Sequence, residues 1–111
     1  MDRYDIPGYE FVGSVDISIA KADQEGVVLF LIDSDGDLGV LWAQGCVCCG
    51  TMQDDLDPDQ VCTVINLEET AREIHEAVVA SDAKDIPALR AMIIEAQKRM
   101  DWTRTVKAVQ A

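Results

Sequence analysis

The sequence predicts an α+β fold, in which three or four antiparallel strands are followed by a two-helix hairpin packed on one face of the sheet. Up to residue 67 the apolar residues alternate with polar ones or form short runs, whereas from residue 68 onward they recur at helical spacing. A length of 111 residues matches a single domain. We divide it into a β-rich acidic part (1–67), a helical hairpin (68–101) and a tail (102–111) that could be helix, strand or disordered.

Four segments of the first part have strand character. Residues 11–19 alternate between apolar and polar, which predicts a strand with one buried face. Residues 27–32 are apolar throughout, which predicts a central strand covered on both faces. The Asp-Gly pair at 35–36 predicts a two-residue hairpin turn with both residues at positive φ, and a third strand follows over 38–43. A fourth strand is predicted over 61–67, with its odd-numbered residues on one face.

The second part carries two helical stripes. Asn66, with Glu69 three residues later, predicts the start of the first helix. Residues 81–85 break the pattern, and Pro87 suits the first position of a second helix with Ile86 at its cap site. The first stripe consists of Leu67, Ala71, Ile74 and Val78, and the second of Leu89, Ile93, Ala96 and Met100. We expect both stripes to pack against the sheet.

Acidic residues dominate the charge. The formal net charge is −12, and residues 1–67 hold thirteen acidic side chains against two basic ones. Such a chain is poorly suited to bind nucleic acid directly or to bind an anionic membrane, because both need cations. The longest apolar run, 27–32, is also far too short to cross a membrane. The first eight residues lack an apolar stretch, so we expect no signal peptide and a cytoplasmic location.

Two aspartate-rich loops are the candidate partner-binding site. The first contains Asp33, Asp35 and Asp37, and the second contains Asp54, Asp55, Asp57 and Asp59. No nucleophile elbow, phosphate-binding glycine loop or dinucleotide motif is present, which favours a protein that is not an enzyme. We therefore predict a small acidic protein that binds a basic surface of a larger protein, and that could inhibit a nucleic-acid-processing partner. A structural homo-oligomer, such as a homodimer kept soluble by the acidic loops, is the alternative.

Asp33, Asp35 and Asp37 also match the first three ligand positions of a calcium-binding loop. An EF-hand needs glycine at the sixth position and glutamate at the twelfth. Those positions hold Leu38 and Gln44, so the pattern does not predict calcium binding.

Four cysteines form the second candidate site. Cys46, Cys48, Cys49 and Cys62 supply the number of thiolates that a tetrahedral zinc site needs, although small cysteines also pack as ordinary apolar residues. We expect no cofactor, and zinc or thiol redox chemistry at these residues is the alternative. The stretch from Trp42-Ala43 to Cys46 and Cys49 resembles the motif of thioredoxins, and Ile86-Pro87-Ala88-Leu89 resembles the segment around their cis-proline.

That resemblance implies that Cys46 is a nucleophile activated at a helix N-terminus. It covers about twelve of the 111 residues. The family places a long helix directly after the motif and a strand after the proline. Here an aspartate-rich stretch follows Gly50, and helical spacing follows Pro87.

Overall fold

The computed structural model describes residues 6–46 and 56–110, of which 46 and 100–110 by backbone alone. It confirms the predicted α+β fold, with a four-stranded antiparallel sheet followed by two helices that pack on it. The strands, which lie in the order β1-β2-β3-β4, are β1 (Glu10–Asp16), β2 (Gln24–Ile32), β3 (Leu38–Cys46) and β4 (Cys62–Thr63). The helices are α1 (Leu67–Ala80) and α2 (Ile86–Gln110), and short 3₁₀ turns form at Ala20–Ala22 and Pro58–Gln60.

Strand β2 is covered on both faces, as its unbroken apolar run predicts. Val28 and Phe30 point toward the helices and are fully buried among the apolar side chains of α1 and α2. Leu29 and Leu31 point to the opposite face, where Ile6 and Leu41 complete a second buried cluster. Partly buried side chains close this second cluster from outside: Tyr9, Phe11, Ala43, Leu56 and Val61. The sheet therefore separates two apolar cores, of which the helices cover one.

The helices bury the centres of the two predicted stripes. Ile74 and Val78 of α1 are fully buried, as is Ala96 of α2, and Leu89 is nearly so. Leu67, Ala71 and Ile93 are half-buried, and the Met100 side chain lies outside the described part of the structure. Met92, which the predicted stripe did not include, is buried as well. At the start of α1 the Asn66 side chain accepts a hydrogen bond from the Glu69 amide at 3.1 Å, which confirms the predicted cap.

A β-bulge brings α2 close to β1. The register between β1 and β2 shifts between Phe11 and Gly13, which leaves Val12 as the extra residue. A Cβ atom at Gly13 would lie 3.1 Å from Cγ of Met92, so the absence of a side chain there lets the helix approach the strand.

Polar contacts hold the helical hairpin to the sheet at two places. The Arg99 guanidinium donates to Glu10 of β1 at 2.7 Å and to Glu95 at 3.2 Å. The hydrogen bond with Glu10, and then that with Glu95, raises the pKa of Arg99 above its usual value. In the loop between the helices, the Asp82 amide donates to the Ser18 carbonyl at 3.0 Å, and its carboxylate accepts from the Ala20 amide. Because exposed ion pairs contribute about 0–1 kcal/mol, these contacts orient the hairpin more than they stabilise it.

The turn between β2 and β3 differs from the prediction. Ile32 pairs with Leu38, so five residues rather than two connect the strands, and Gly36 alone among them has positive φ, at 85°. The physical reason is the Asp33 side chain, which accepts hydrogen bonds from the backbone amides of Asp35 and Asp37. These bonds give partners to backbone amides of the five-residue loop. A two-residue turn would not need such side-chain acceptors.

Strand β4 is shorter than predicted. It holds two residues instead of seven, and Ile65 is 91% exposed rather than on a buried face. The Asn66 cap starts α1 at Leu67, so Leu67 belongs to the helix rather than to the strand.

Helix α2 begins and ends differently from the prediction. The Asp85 side chain, rather than Ile86, caps α2 by accepting from the Ala88 amide at 3.2 Å. The tail continues this helix to Gln110. Among the described residues, no helix combines the length and the apolar character that crossing a bilayer requires.

The two cores predict equal sensitivity to truncation on either face of the sheet. Leu29 lies in the second core and Leu89 in the helix-side core, and both are almost inaccessible to solvent. Leu29→Ala and Leu89→Ala should each lower the free energy of unfolding by about 2–5 kcal/mol, measured by urea denaturation. A loss below about 1 kcal/mol for Leu29→Ala alone would show that the second face is not a core.

Gly39 predicts a specific steric conflict with the segment before β4. A Cβ atom at Gly39 would lie 2.5 Å from Cγ1 of Val61. Gly39→Ala should therefore destabilise the protein by about 1–3 kcal/mol in urea denaturation. In a Val61→Ala background most of this cost should disappear. An unchanged cost in that background would contradict the close contact.

Candidate functional site

The turn between β2 and β3 brings three carboxylates together. Ligand oxygens of Asp33, Asp35 and Asp37 all lie within 4.8 Å of one another, and we call these three residues the acidic turn. One Asp33 oxygen accepts from the amides of Asp35 at 2.9 Å and Asp37 at 3.0 Å. Two backbone hydrogen bonds between Asp33 and residues 36 and 37 close the loop at 3.0 and 3.1 Å. The backbone of the loop therefore holds the Asp33 carboxylate in place.

This arrangement attracts cations. Three like charges at such short range repel one another, and an approaching ammonium, guanidinium or metal ion relieves that repulsion. Among the acidic, cysteine and histidine side chains of the described residues, these three form the group whose ligand atoms lie close enough together to share one metal ion. Leu38, at the sixth position of the calcium pattern, is buried at the start of β3, and Gln44 at the twelfth lies further along the same strand. The residues that would form the second half of a calcium-binding loop therefore belong to strand β3 instead.

An exposed apolar side chain lies beside the acidic turn. The Val64 amide donates to the Leu38 carbonyl at 2.8 Å, which places the segment that leads into α1 at the same end of the sheet as the acidic turn. Ile65, the next residue of that segment, is 91% exposed. Glu68 and Glu69, in the first turn of α1, are exposed as well. We call the acidic turn together with Ile65, Glu68 and Glu69 the acidic end of the molecule.

The second aspartate-rich loop lies elsewhere. Asp57 caps the 3₁₀ turn by accepting from the Asp59 amide at 2.9 Å, and it lines a cleft beside Leu41 and Gln44 of β3. Leu41 and Gln44 lie four and seven residues beyond Asp37. At 3.3–3.4 Å per strand residue, this part of the cleft is therefore roughly 15–20 Å from the acidic turn. The structure thus gathers the first three predicted aspartates and sets Asp57 and Asp59 apart. The remaining two, at positions 54 and 55, lie outside the described residues.

The structure does not bring Cys46 and Cys62 together. Cys62 is exposed in β4 and lies opposite Val40, and its thiol makes only a weak contact with the Gln60 carbonyl at 3.7 Å. Cys46 ends β3, six residues beyond Val40, which is roughly 20 Å along the strand. One zinc ion cannot reach both. Cys48 and Cys49 lie outside the described residues, so a site that uses them with Cys46 stays a prediction.

The thioredoxin resemblance also departs from the observed fold. Pro87, the counterpart of the proline that precedes a strand in that family, lies in the first turn of α2. Cys46 lies at the end of a strand whose neighbours are both antiparallel.

Two features of the surface escaped the sequence analysis. Alternation in residues 61–67 placed Ile65 in a strand, whereas the structure leaves it exposed between β4 and α1. The short β4 leaves most of the outer edge of β3 without a neighbouring strand in the described chain. The cap signal at Asn66 assigns Leu67 to the helix, but it indicates neither the exposure of Ile65 nor the two-residue length of β4.

Comparisons of the chain with protein-family models, with curated proteins and with solved structures find no match.

The separation of the cysteines makes a prediction about metal binding. After incubation with zinc and desalting, native mass spectrometry should show the same zinc content for the unchanged protein and for Cys62→Ser, because Cys62 lies apart from Cys46. Cys46→Ser is the comparison variant. Any zinc that the Cys-x-x-Cys pair holds should be lost from the Cys46→Ser protein. Loss of a zinc ion on Cys62→Ser would contradict the separation.

Proposed function

We propose that this protein is a small, non-enzymatic binding protein whose acidic end docks on a basic surface of a larger protein. The observation that carries the proposal is the convergence of three carboxylates at the end of the sheet that also carries Ile65, a side chain that is 91% exposed. Charges that surround an apolar anchor are a common composition of protein-binding surfaces. The expected partner surface has lysines and arginines around a shallow apolar depression.

The carboxylates and the isoleucine would contribute in different ways. Carboxylates at the rim of an interface accelerate association and select a cationic partner, and they do so less effectively as salt increases. Complete burial of Ile65 would contribute roughly 1.5–3 kcal/mol, a term that salt does not screen. The acidic end thus combines a steering component with an anchoring component.

The acidic end is preorganised for binding. The acidic turn joins β2 and β3, the two nine-residue strands of the sheet, and its backbone amides donate hydrogen bonds to the Asp33 carboxylate. Ile65 follows the Leu38–Val64 hydrogen bond directly and precedes the capped start of α1. A surface that is already ordered loses less conformational entropy on binding, which leaves more of the contact energy as affinity.

A cationic partner surface is also the kind of surface that binds phosphates. A chain of net charge −12 that occupies such a surface would exclude nucleic acid from it. The proposed consequence is therefore inhibition of a nucleic-acid-processing partner by competition for its basic surface.

The test is capture of partners on the immobilised protein at graded salt, followed by mass spectrometry of the bound proteins. Asp35→Asn combined with Asp37→Asn removes two charges from the acidic turn while Asp33 keeps its structural hydrogen bonds. Glu73→Gln combined with Glu76→Gln removes the same charge from exposed positions on α1 and is the matched control. Capture of a basic protein should fall several-fold for the first variant and stay unchanged for the control.

Salt and the Ile65 variant separate the two contributions. From about 0.1 M to about 1 M salt the screening length falls from roughly 10 to roughly 3 Å, and capture by the unchanged protein should weaken strongly. Ile65→Ser should accelerate dissociation without changing the salt dependence. Equal capture at low and high salt, or equal losses for the acidic-turn variant and its control, would exclude this function for the acidic end.

A further inference from the structure

Strand β3 has an outer edge that β4 covers only in part. β4 pairs with Gly39 and Val40, while β3 continues to Cys46. In the described part of the chain, the next segment that lies beside this edge is Leu56–Gln60, which stands off from it across a cleft of about 260 Å³. The cleft is lined by Leu41, Trp42, Ala43, Gln44, Leu56, Asp57 and Gln60.

The backbone direction at this edge follows from two hydrogen bonds. The Leu38 carbonyl accepts from the Val64 amide, so Leu38 directs its polar backbone groups outward, away from β2. On the other side, the Gly26 carbonyl accepts from Ile17 of the segment after β1, so Gly26 directs its groups away from β3. Because backbone direction alternates along a strand, the amide and carbonyl groups of Trp42 and Gln44 also point outward. They face the cleft, and no described residue pairs with them there.

The two outer edges of the sheet differ in how they are protected. Strand β1, at the opposite edge, carries the bulge at Val12, which distorts a strand edge and hinders further pairing. Strand β3 pairs with β2 through nine consecutive positions without a shift, from Gln24–Cys46 to Ile32–Leu38. It therefore presents a regular backbone ladder, which is the feature that an added strand requires.

We propose that a short extended segment of the basic partner adds to the sheet along Trp42–Gln44 and occupies the cleft. This inference rests on the proposed function, since the segment belongs to the same cationic partner. Charge favours a basic occupant, because the residues that line the cleft include Asp57 and no lysine or arginine, and Asp59 is exposed on the same 3₁₀ turn. A second copy is the disfavoured occupant, because it would place two chains of charge −12 edge to edge.

The experiment is amide hydrogen exchange and chemical-shift mapping by NMR, with a short peptide of alternating lysine and valine as the probe. The peptide should slow exchange at the Trp42 and Gln44 amides, because strand addition uses them as donors. The same peptide with its backbone N-methylated at alternate residues keeps the charge but loses hydrogen bonds to an edge. It should not slow exchange at these amides.

A protein variant tests the same hydrogen bonds from the other side. Gln44→Pro removes an outward-pointing amide and leaves the donors of the β2–β3 ladder in place. It should weaken peptide binding roughly tenfold, the effect of losing about one hydrogen bond. Ser14→Pro, which removes an outward-pointing amide at the β1 edge, is the matched control and should bind the peptide normally.

The outcomes distinguish this inference from the proposed function. Peptide-induced changes confined to residues 33–37 and 65–69 would overturn the edge proposal while supporting the acidic end. Slowed exchange at Trp42 and Gln44 that depends on protein concentration, without peptide, would overturn it in favour of self-association. If Gln44→Pro fails to fold, the comparison of the two peptides on the unchanged protein still decides. Retention of edge binding in the Asp35→Asn, Asp37→Asn variant, together with unchanged partner capture, would leave the edge proposal standing and remove the acidic end.

Discussion

The burial of β2 on both faces, complete over residues 26–32, is the constraint on which the rest of the structure depends. Its side chains alternate between two apolar cores, so both faces of the sheet must be covered. The helical hairpin covers one face. The segment around Ile6 and the segment that runs from Leu56 to Val61 cover the other. The chain after β3 therefore returns to cover the second face. This return places Leu56–Gln60 beside β3, with the cleft between them.

The helix cap at Asn66 limits the extended segment that precedes α1. Helical geometry begins at Leu67, so three residues, 64–66, separate β4 from the helix. Within this connection Val64 donates to the Leu38 carbonyl, and Ile65 is 91% exposed at the same end of the sheet as the acidic turn. The β3 edge beyond Val40 remains regular but lacks a neighbouring strand among the described residues. The two proposed contact regions thus lie on either side of the short β4.

Local sequence patterns predicted the elements that depend on local physics. The buried run of β2, the Asn66 cap and the stripe through Ile74 and Val78 were all predictable, because periodicity and capping act over a few residues. The turn at Asp33 was mispredicted because a side-chain hydrogen bond competed with glycine geometry, and only the structure shows which prevails. The distance between Cys46 and Cys62 was not predictable either, since it depends on strand register, which separates residues that sequence counting treats as a cluster.

The separation of the two aspartate-rich loops gives the surface a direction. Seven carboxylates in one patch would attract any polycation without defining its orientation. The acidic turn precedes β3, whereas Asp57 lies beside Leu41 and Gln44, roughly 15–20 Å further along that strand. A partner that contacts both regions must present its cations with matching spacing. Backbone hydrogen bonds along Trp42–Gln44, next to Asp57, together with charge at the acidic turn would then select one partner geometry, which is more discriminating than either interaction alone.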